Sequence, residues 1–349
     1  MPSLPSTAAL RILDANANRA SEALRTAEDY LRFVLEDSHL CEQCKQLRHQ
    51  LAEALQTSLK TSDRWAARDV SGDVGTTIST EREQTRGDIS EVALAAFHRA
   101  REALRCLEEY SKTFSPDLAA QLEPLRYRCY TLERAAGLTA EALQTWPEVC
   151  IYVLIDGGES LPAMAKLAEQ LLKGGVHALQ LRDKQMDDRE LLKRAVRLRR
   201  LAQLYGAKFI VNDRPDIALL SGAHGVHVGQ EELPVSAARR VIGPGKLVGV
   251  STHSLQQARQ AVLDGADHIG CGPTFPSQTK QFEEFAGLEY LKEVHREIRL
   301  PAFAIGGIHH ENAAEVRQAG ITRVAVGAAL TRAADPEQAA RKLAETLRA

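Results

Sequence analysis

An amide and two basic side chains alternate in the segment QLRDK, at Gln180, Arg182 and Lys184. In an extended chain alternate side chains share one face, so these three would point the same way. Burying Arg and Lys unpaired costs several kcal/mol on an order-of-magnitude scale, and a bound anion would remove that cost. The pattern therefore indicates an anion site, for which Arg suits phosphate, with a structural network to Asp183 or Asp213 as the alternative.

Two carboxylates, Asp213 and Glu232, follow neighbouring apolar segments of the chain. Mg²⁺ is typically held by one or two protein carboxylates together with water and substrate phosphate. The alternative is that both side chains cap helices. We therefore treat the pair as candidate Mg²⁺ ligands.

The elements that must position these residues begin after Trp146, where short apolar runs alternate with amphipathic segments. Eight runs have the character of buried strands: residues 150–155, 178–183, 208–213, 225–229, 247–252, 268–273, 301–307 and 323–329. Strands of this kind alternating with helices predict a parallel sheet covered by helices, and eight units predict a (β/α)8 TIM barrel. An open doubly wound sheet is the alternative.

Active-site groups of such barrels lie at the carboxyl ends of the strands. Polar residues concentrate at those positions here, among them Asn212 near the end of the third run and Ser251 near the end of the fifth. Gly306-Gly307 and Gly327 end the last two runs, where backbone N–H groups of barrels often bind phosphate. Glycine permits the close approach that such a contact needs.

The first 145 residues have a helical pattern instead, so we predict an α/β chain with an all-α domain at 1–145 and the barrel at 146–349. Residues 19–30 and 99–110 repeat each other with eight identities in twelve positions, which predicts two similar helices about a pseudo-twofold axis. The charged row of this repeat could form ion pairs between helices, which is the favoured interpretation. Alternatively it lines a polar ligand pocket with Arg64, Arg68 and Arg82.

Composition narrows the function class. Lys and Arg number 44 against 46 Asp and Glu, which gives no electrostatic reason to expect nucleic-acid or membrane partners. The sequence contains no apolar segment of membrane-spanning length and no signal-peptide core, so we expect a cytoplasmic protein. Cys41 and Cys44 form a lone C-x-x-C in a helical stretch, without the further ligands that zinc needs. A homo-oligomer is left open.

The segments QLRDK, VND, GVHVGQEE, GVSTHS, GPTFPSQTK and AIGGI occur in this order within residues 180–308. Together they resemble the thiamine-phosphate synthase family over roughly residues 148–345. The resemblance implies a Mg²⁺-dependent transferase of thiamine biosynthesis with two small-molecule substrates. It would condense 4-amino-2-methyl-5-hydroxymethylpyrimidine diphosphate with 4-methyl-5-(2-phosphoethyl)thiazole, or its carboxylated form, to give thiamine phosphate and diphosphate.

The resemblance also implies roles for individual residues. Those that would hold the pyrimidine diphosphate are Gln180, Arg182, Lys184, Asn212 and Lys280. Ser251 matches a further contact near that substrate, and Asp183 is also expected to bind substrate. Among these Arg182, Lys184 and Lys280 would carry the catalytic charge. Asp213 and Glu232 match the metal ligands. Those that would contact the thiazole phosphate are Ser277, Gln278, Thr279, Gly307, Gly327 and Ala328.

Three positions depart from the family pattern. Glu232 replaces the usual Asp, Ser277 begins a segment that is usually T-x-T-K, and Gly327-Ala328 replaces a V-S pair. A related barrel of the thiazole-tautomerase kind, or a non-catalytic regulator that binds thiamine precursors, would share the scaffold. The diphosphate-binding set argues against the first of these, and an assay would decide on the second. For the helical domain, an assembly role and a ligand-binding role both remain open.

Overall fold

The computed structural model describes residues 5–69, 85–276 and 286–349. The chain divides into two compact units, Met1–Gly137 and Leu138–Ala349. This division falls inside helix α5 (Pro116–Thr145). The domain boundary expected from the sequence, between residues 145 and 146, lies at the end of the same helix. None of the helices in the described residues is long and apolar enough to cross a membrane.

The first unit is helical, as predicted. Besides the start of α5, its helices are α1 (Thr7–Phe33), α2 (Ser38–Ser58), α3 (Thr61–Ala67) and α4 (Ile89–Ser111). Helix α1 packs against α4, and several identical residues of the repeat are buried in the two helices. Ala20 and Leu24 of α1 are fully buried, as are their repeat partners Ala100 and Leu104 of α4. The repeat therefore encodes a helix interface in which small side chains permit close packing.

Ion pairs between helices, the favoured interpretation of the charged row, are confirmed for the two repeated glutamates. Glu28 accepts hydrogen bonds from Arg25 at 3.2 Å and from Arg48 of α2 at 3.2 Å. Glu108, its counterpart, accepts from Arg105 at 2.8 Å and from Arg126 of α5 at 2.7 Å. Both glutamates are almost completely buried, so each needs its cationic partners.

We expect Glu108→Gln to lower the free energy of unfolding by about 3 kcal/mol, because it leaves a buried arginine without its counter-charge. Arg126 is only 9% exposed, whereas Arg48 beside Glu28 is 24% exposed. Glu28→Gln should therefore destabilise the unit less. Urea unfolding followed by circular dichroism measures both, with exposed Glu102→Gln as control. Equal losses for Glu102→Gln and Glu108→Gln would contradict the role of the buried pair.

The second unit contains a closed barrel of eight parallel strands in the order of the chain, which excludes the open sheet. The strands are β1 (Cys150–Ile155), β2 (Ala178–Leu181), β3 (Lys208–Asn212), β4 (Gly225–Val228), β5 (Leu247–Thr252), β6 (His268–Cys271), β7 (Ala302–Ile305) and β8 (Arg323–Val326). The barrel prediction is thus confirmed in strand number and order.

Helices follow the strands and cover the outside of the barrel. They are α6 (Leu161–Lys173), α7 (Asp188–Leu204), α8 (Pro215–Ser221), α9 (Val235–Ile242), α10 (Leu255–Asp264), α11 (Gly287–Glu297), α12 (Ala313–Gln318), α13 (Ala328–Thr331) and α14 (Pro336–Arg348). Side-chain caps fix several helix starts, such as Asp187 at α7, which accepts from the Glu190 N–H at 3.0 Å. Such a cap fixes the residue at which the loop after a strand ends and the next helix begins.

Aromatic side chains fill the barrel at the end where the strands begin. Trp146, after which the sequence changes character, is 2% exposed and lies edge-on to Phe303 at 5.0 Å between ring centroids. It also stacks on Tyr152 at 6.1 Å. Packed rings therefore fill this end of the barrel, opposite the carboxyl ends of the strands.

Candidate active site

Three side chains from three strand ends converge at the open end of the barrel. Lys184, three residues after β2, places its ammonium nitrogen 3.3 Å from Asp213 Oδ2, after β3. The same nitrogen lies 3.4 Å from Glu232 Oε1, in the loop after β4. The Lys184 ammonium group therefore bridges the two carboxylates that were the candidate metal ligands, so each of them already lies beside a positive charge.

Asp213 occupies a strained position. Its φ of 61° is in the left-handed region, and its N–H donates to the His227 carbonyl at 2.8 Å, which continues the β3–β4 pairing. Burial raises the pKa of the Asp213 carboxyl, and the negative charge of Glu232 raises it further, while Lys184 opposes both. Strain and a raised carboxyl pKa are features that concentrate at functional sites.

Glycine at position 229 makes room for the Glu232 carboxylate. A Cβ on Gly229 would overlap Glu232 Oε2, whereas it would lie 3.9 Å from the other carboxylate oxygen, Oε1. The end of a flexible side chain can move aside at little cost, so the fold tolerates such a Cβ. The carboxylate, however, would leave its place beside Lys184.

We therefore expect Gly229→Ala to lower kcat/KM about tenfold while changing stability by less than about 0.5 kcal/mol. Steady-state kinetics at several Mg²⁺ concentrations, with a parallel unfolding curve, measures both quantities. Gly137→Ala is a matched control, because a Cβ there meets nothing within 4 Å. Unchanged kinetics in Gly229→Ala would show that the position of Glu232 does not matter.

Polar side chains also line the barrel interior beneath the strand ends. Gln180 is 3% exposed and donates from Nε2 to the Tyr152 hydroxyl at 2.8 Å. His227 Nε2 lies 3.0 Å from Ser251 Oγ, and its Nδ1 lies 3.3 Å from His268 Nε2. Burial lowers the pKa of His227 to about 4, so this histidine is neutral near pH 7.

The interior pairing of His227 with His268 was not predicted from the sequence. Gly249 lies between them on β5, where a Cβ would overlap both rings. The two histidines can therefore lie side by side only because residue 249 is glycine. The alternation in β4, β5 and β6 carries the signal, because it puts these three residues on the inward face. Recognising it requires the register of neighbouring strands, which pairs Gly249 with each of them.

Other candidates from the second and third strands lie beside the converging charges. Asn212 is the last residue of β3 and is half-buried, and Arg182 is exposed just past β2, with its N–H bound to the Ile155 carbonyl at 2.9 Å. Asp183 instead accepts from three backbone N–H groups, those of Gly157, Gln185 and Met186. It therefore holds the loops after β1 and β2, and its contact with a substrate stays a prediction.

The glycines after β7 have the predicted conformational need. Gly306 and Gly307 have φ of 101° and 65°, and a Cβ on Gly307 would collide with the backbone of Pro276. Gly327 lies directly before α13, which begins at Ala328. Ser277, Gln278, Thr279 and Lys280 lie outside the described residues.

Within the described parts of the chain, no group of three or more His, Cys, Asp or Glu side chains could hold a metal ion. Asp213 and Glu232 are a pair, which is a donor set suited to Mg²⁺ rather than to zinc. Cys44 is buried in α2 and donates to the Leu24 carbonyl at 3.4 Å.

Comparison with known proteins gives two family matches. Residues 151–330 match the model described as thiamine monophosphate synthase, and residues 11–135 match the one described as the ThiD2 family. A thiamine-phosphate synthase of Rhodopirellula baltica is 46% identical over 95% of this chain and 90% of its own length. One from Synechocystis is 43% identical over 97% of this chain and 96% of its own length.

Among solved structures, the thiamine phosphate pyrophosphorylase from Pyrococcus furiosus aligns with a TM-score of 0.53 and 34% sequence identity. The alignment covers 58% of this chain and 96% of that one. The two sequence relatives, by contrast, extend over both units.

Proposed function

The chain belongs to the thiamine-phosphate synthase family and is a transferase, and on that premise we propose how its barrel joins the two halves of thiamine phosphate. The pyrimidine diphosphate binds at the ends of β2 and β3, and the thiazole phosphate at the ends of β7 and β8. The convergence of Lys184, Asp213 and Glu232 supports this placement most strongly. It gathers opposite charges at one point, where a diphosphate and a divalent cation can bind together.

The basic side chains act on the leaving diphosphate. Arg182 and Lys184, with Lys280, bind its oxygens and stabilise the negative charge that grows as the bond to the pyrimidine methylene carbon breaks. The electron pair of this C–O bond leaves with the diphosphate oxygen. The lone pair of the thiazole nitrogen then forms the new C–N bond, so no proton needs to be removed and no protein nucleophile is required.

The two carboxylates suit Mg²⁺ as the cofactor. Asp213 and Glu232 would hold it, and it would neutralise part of the diphosphate charge. Their fit rests on the charge arrangement, because Glu232 raises the pKa of the Asp213 carboxyl and Lys184 is placed between them. Glu232 is one methylene longer than the family's usual aspartate, and its carboxylate lies against Gly229.

The polar interior positions the substrates from below. Gln180 and Ser251 face the inside of the barrel under the strand ends, where the pyrimidine ring would lie. Neutral His227 holds the Ser251 hydroxyl by a hydrogen bond at 3.0 Å. At the other side, the backbone of Gly307, Gly327 and Ala328 would contact the thiazole phosphate, together with the segment of Ser277, Gln278 and Thr279. We propose residues 146–349 as the catalytic domain and residues 1–145 as a separate helical domain.

An omission assay tests the proposed reaction. We expect the purified full chain to form thiamine phosphate only when both substrates are present, since the reaction joins them. Product is measured by chromatography after oxidation to a fluorescent derivative. A chain of the tautomerase kind would convert the thiazole substrate without the pyrimidine substrate. A non-catalytic regulator would give no product, whether one substrate or both are present.

A further inference from the structure

Three polar side chains form a continuous hydrogen-bonded network inside the barrel. His227 Nε2 lies 3.0 Å from Ser251 Oγ, and His227 Nδ1 lies 3.3 Å from His268 Nε2. His227 is 8% exposed, and His268 is fully buried. This histidine network, made of Ser251, His227 and His268, therefore runs from the side where substrates would bind to Nδ1 of His268.

Two buried nitrogen atoms at the far end of the histidine network have no hydrogen-bond partner among the described residues. They are His268 Nδ1 and Nε1 of Trp146, and the two rings lie 5.2 Å apart between centroids. The indole N–H can only donate, whereas Nδ1 of a neutral histidine either donates or accepts. One water molecule between the two nitrogens would pair both of them if Nδ1 accepts. If Nδ1 donated as well, that water would have to place its own hydrogens in the apolar cluster around Trp146, which is costly.

The positions of the protons in the histidine network follow from this end. Burial lowers the pKa of both histidines, so each neutral ring carries a single proton. When His268 Nδ1 accepts, the proton of His268 is on Nε2 and is donated to Nδ1 of His227. The proton of His227 is then on Nε2 and is donated to Ser251 Oγ. In the opposite order, the Ser251 hydroxyl would donate to His227 and could offer a ligand only its lone pairs.

We propose that Trp146 fixes the proton order of the histidine network and thereby makes Ser251 a hydrogen-bond donor to the substrate. The inference rests on the proposed function, in which Ser251 lies beneath the pyrimidine ring. Because its oxygen already accepts from His227, the hydroxyl proton is left for an acceptor atom of the pyrimidine diphosphate. The opposite order would set a lone pair of the serine against that acceptor, which is repulsive. Trp146 and His268 are thus positioning residues that act through Ser251.

Nitrogen NMR of the full chain, with its histidines labelled with nitrogen-15, tests the proton order without any substrate. Long-range proton–nitrogen correlation spectra distinguish the two neutral tautomers, and the signals are assigned by their loss in His227→Gln and His268→Gln. We expect both histidines to carry the proton on Nε2. Trp146→Phe keeps an aromatic ring but removes the N–H, so we expect the Nδ1–H forms to become populated. Nδ1–H on either histidine of the parent chain would overturn the proposal, as would tautomers that Trp146→Phe leaves unchanged.

Phe303→Leu is the matched control for Trp146→Phe. The Phe303 ring lies edge-on to Trp146 at 5.0 Å and to His268 at 5.6 Å between centroids, but it carries no hydrogen-bond donor. Its replacement loosens the same cluster, so both tautomers should stay as they are in the parent. An equal change of tautomer in both variants would show that packing sets the order, against the proposal. If Trp146→Phe does not fold, the tautomers of the parent chain decide.

A double-mutant cycle connects the proton order to the reaction. We expect Trp146→Phe to lower kcat/KM for the pyrimidine diphosphate about fivefold when Ser251 is present, the size of one weakened hydrogen bond. When Ser251 has been replaced by alanine, the same change should lower kcat/KM less than about twofold. A purely structural role of Trp146 would give equal losses in both backgrounds and contradict the proposal. If the parent chain forms no thiamine phosphate, the proposed function fails, whereas the histidine tautomers still decide on the proton order.

Discussion

Replacing Arg182 or Lys184 by alanine should lower kcat/KM by about a hundredfold or more each. Lys184 is 58% exposed, and its ammonium group is held by Asp213 and Glu232, so its removal costs the fold little. The departing diphosphate, in contrast, loses a cationic partner whose interaction with it strengthens as the C–O bond breaks. The loss should therefore lie mainly in kcat, because the interaction grows from bound substrate to transition state.

Asp187→Ala is the control for both variants. Asp187 is a charged residue three positions after Lys184, and its carboxylate caps α7 by accepting the Glu190 N–H. Its loss costs about 1 kcal/mol of stability and should leave turnover nearly unchanged. Steady-state kinetics of the three variants therefore separates charge at the site from general destabilisation. Similar losses in all three would remove the assigned catalytic roles.

The second large effect is expected for Asp213→Asn, which should lower turnover by about a hundredfold or more at a fixed Mg²⁺ concentration. Asparagine is the substitution of choice, because it tolerates the left-handed φ of 61° at this position. The change therefore removes the negative charge while the backbone keeps its shape. Asp213→Ala would add backbone strain to the same loss.

Glu232→Asp and Glu232→Gln form a matched pair for the second carboxylate. The aspartate variant has the family's usual residue, so we expect activity within about tenfold of the parent, whereas the glutamine variant should lose far more. Turnover measured against Mg²⁺ concentration compares the two Glu232 variants and Asp213→Asn with the parent. Full activity of Asp213→Asn with an unchanged Mg²⁺ requirement would show that the metal binds elsewhere.

The barrel could be predicted from the sequence because buried parallel strands are written as short apolar runs. The run at 178–183 was predicted too long, since β2 ends at Leu181. Arg182 and Lys184 therefore belong to the loop rather than to the strand, and the alternation argument applies fully only to Gln180. Alternation describes an extended chain, and it ends where strand pairing ends.

Contacts between distant segments could not be predicted from the sequence. The pairing of His227 with His268 depends on the strand register around Gly249, and the three backbone bonds of Asp183 depend on where two loops meet. In the helical unit, the repeat predicted paired helices. The ion pair between Arg101 of α4 and Glu133 of α5, at 3.0 Å, could be seen only in the structure.

The most direct test of the central claim is Mg²⁺-dependent formation of thiamine phosphate by the purified full chain. Both substrates are supplied, residual metal is first removed with a chelator, and product is followed as Mg²⁺ is added back. We expect no product without the metal, restored turnover with it, and little restoration in Asp213→Asn at the same concentration. Absence of thiamine phosphate at saturating Mg²⁺, with both substrates present and the chain folded, would contradict the account.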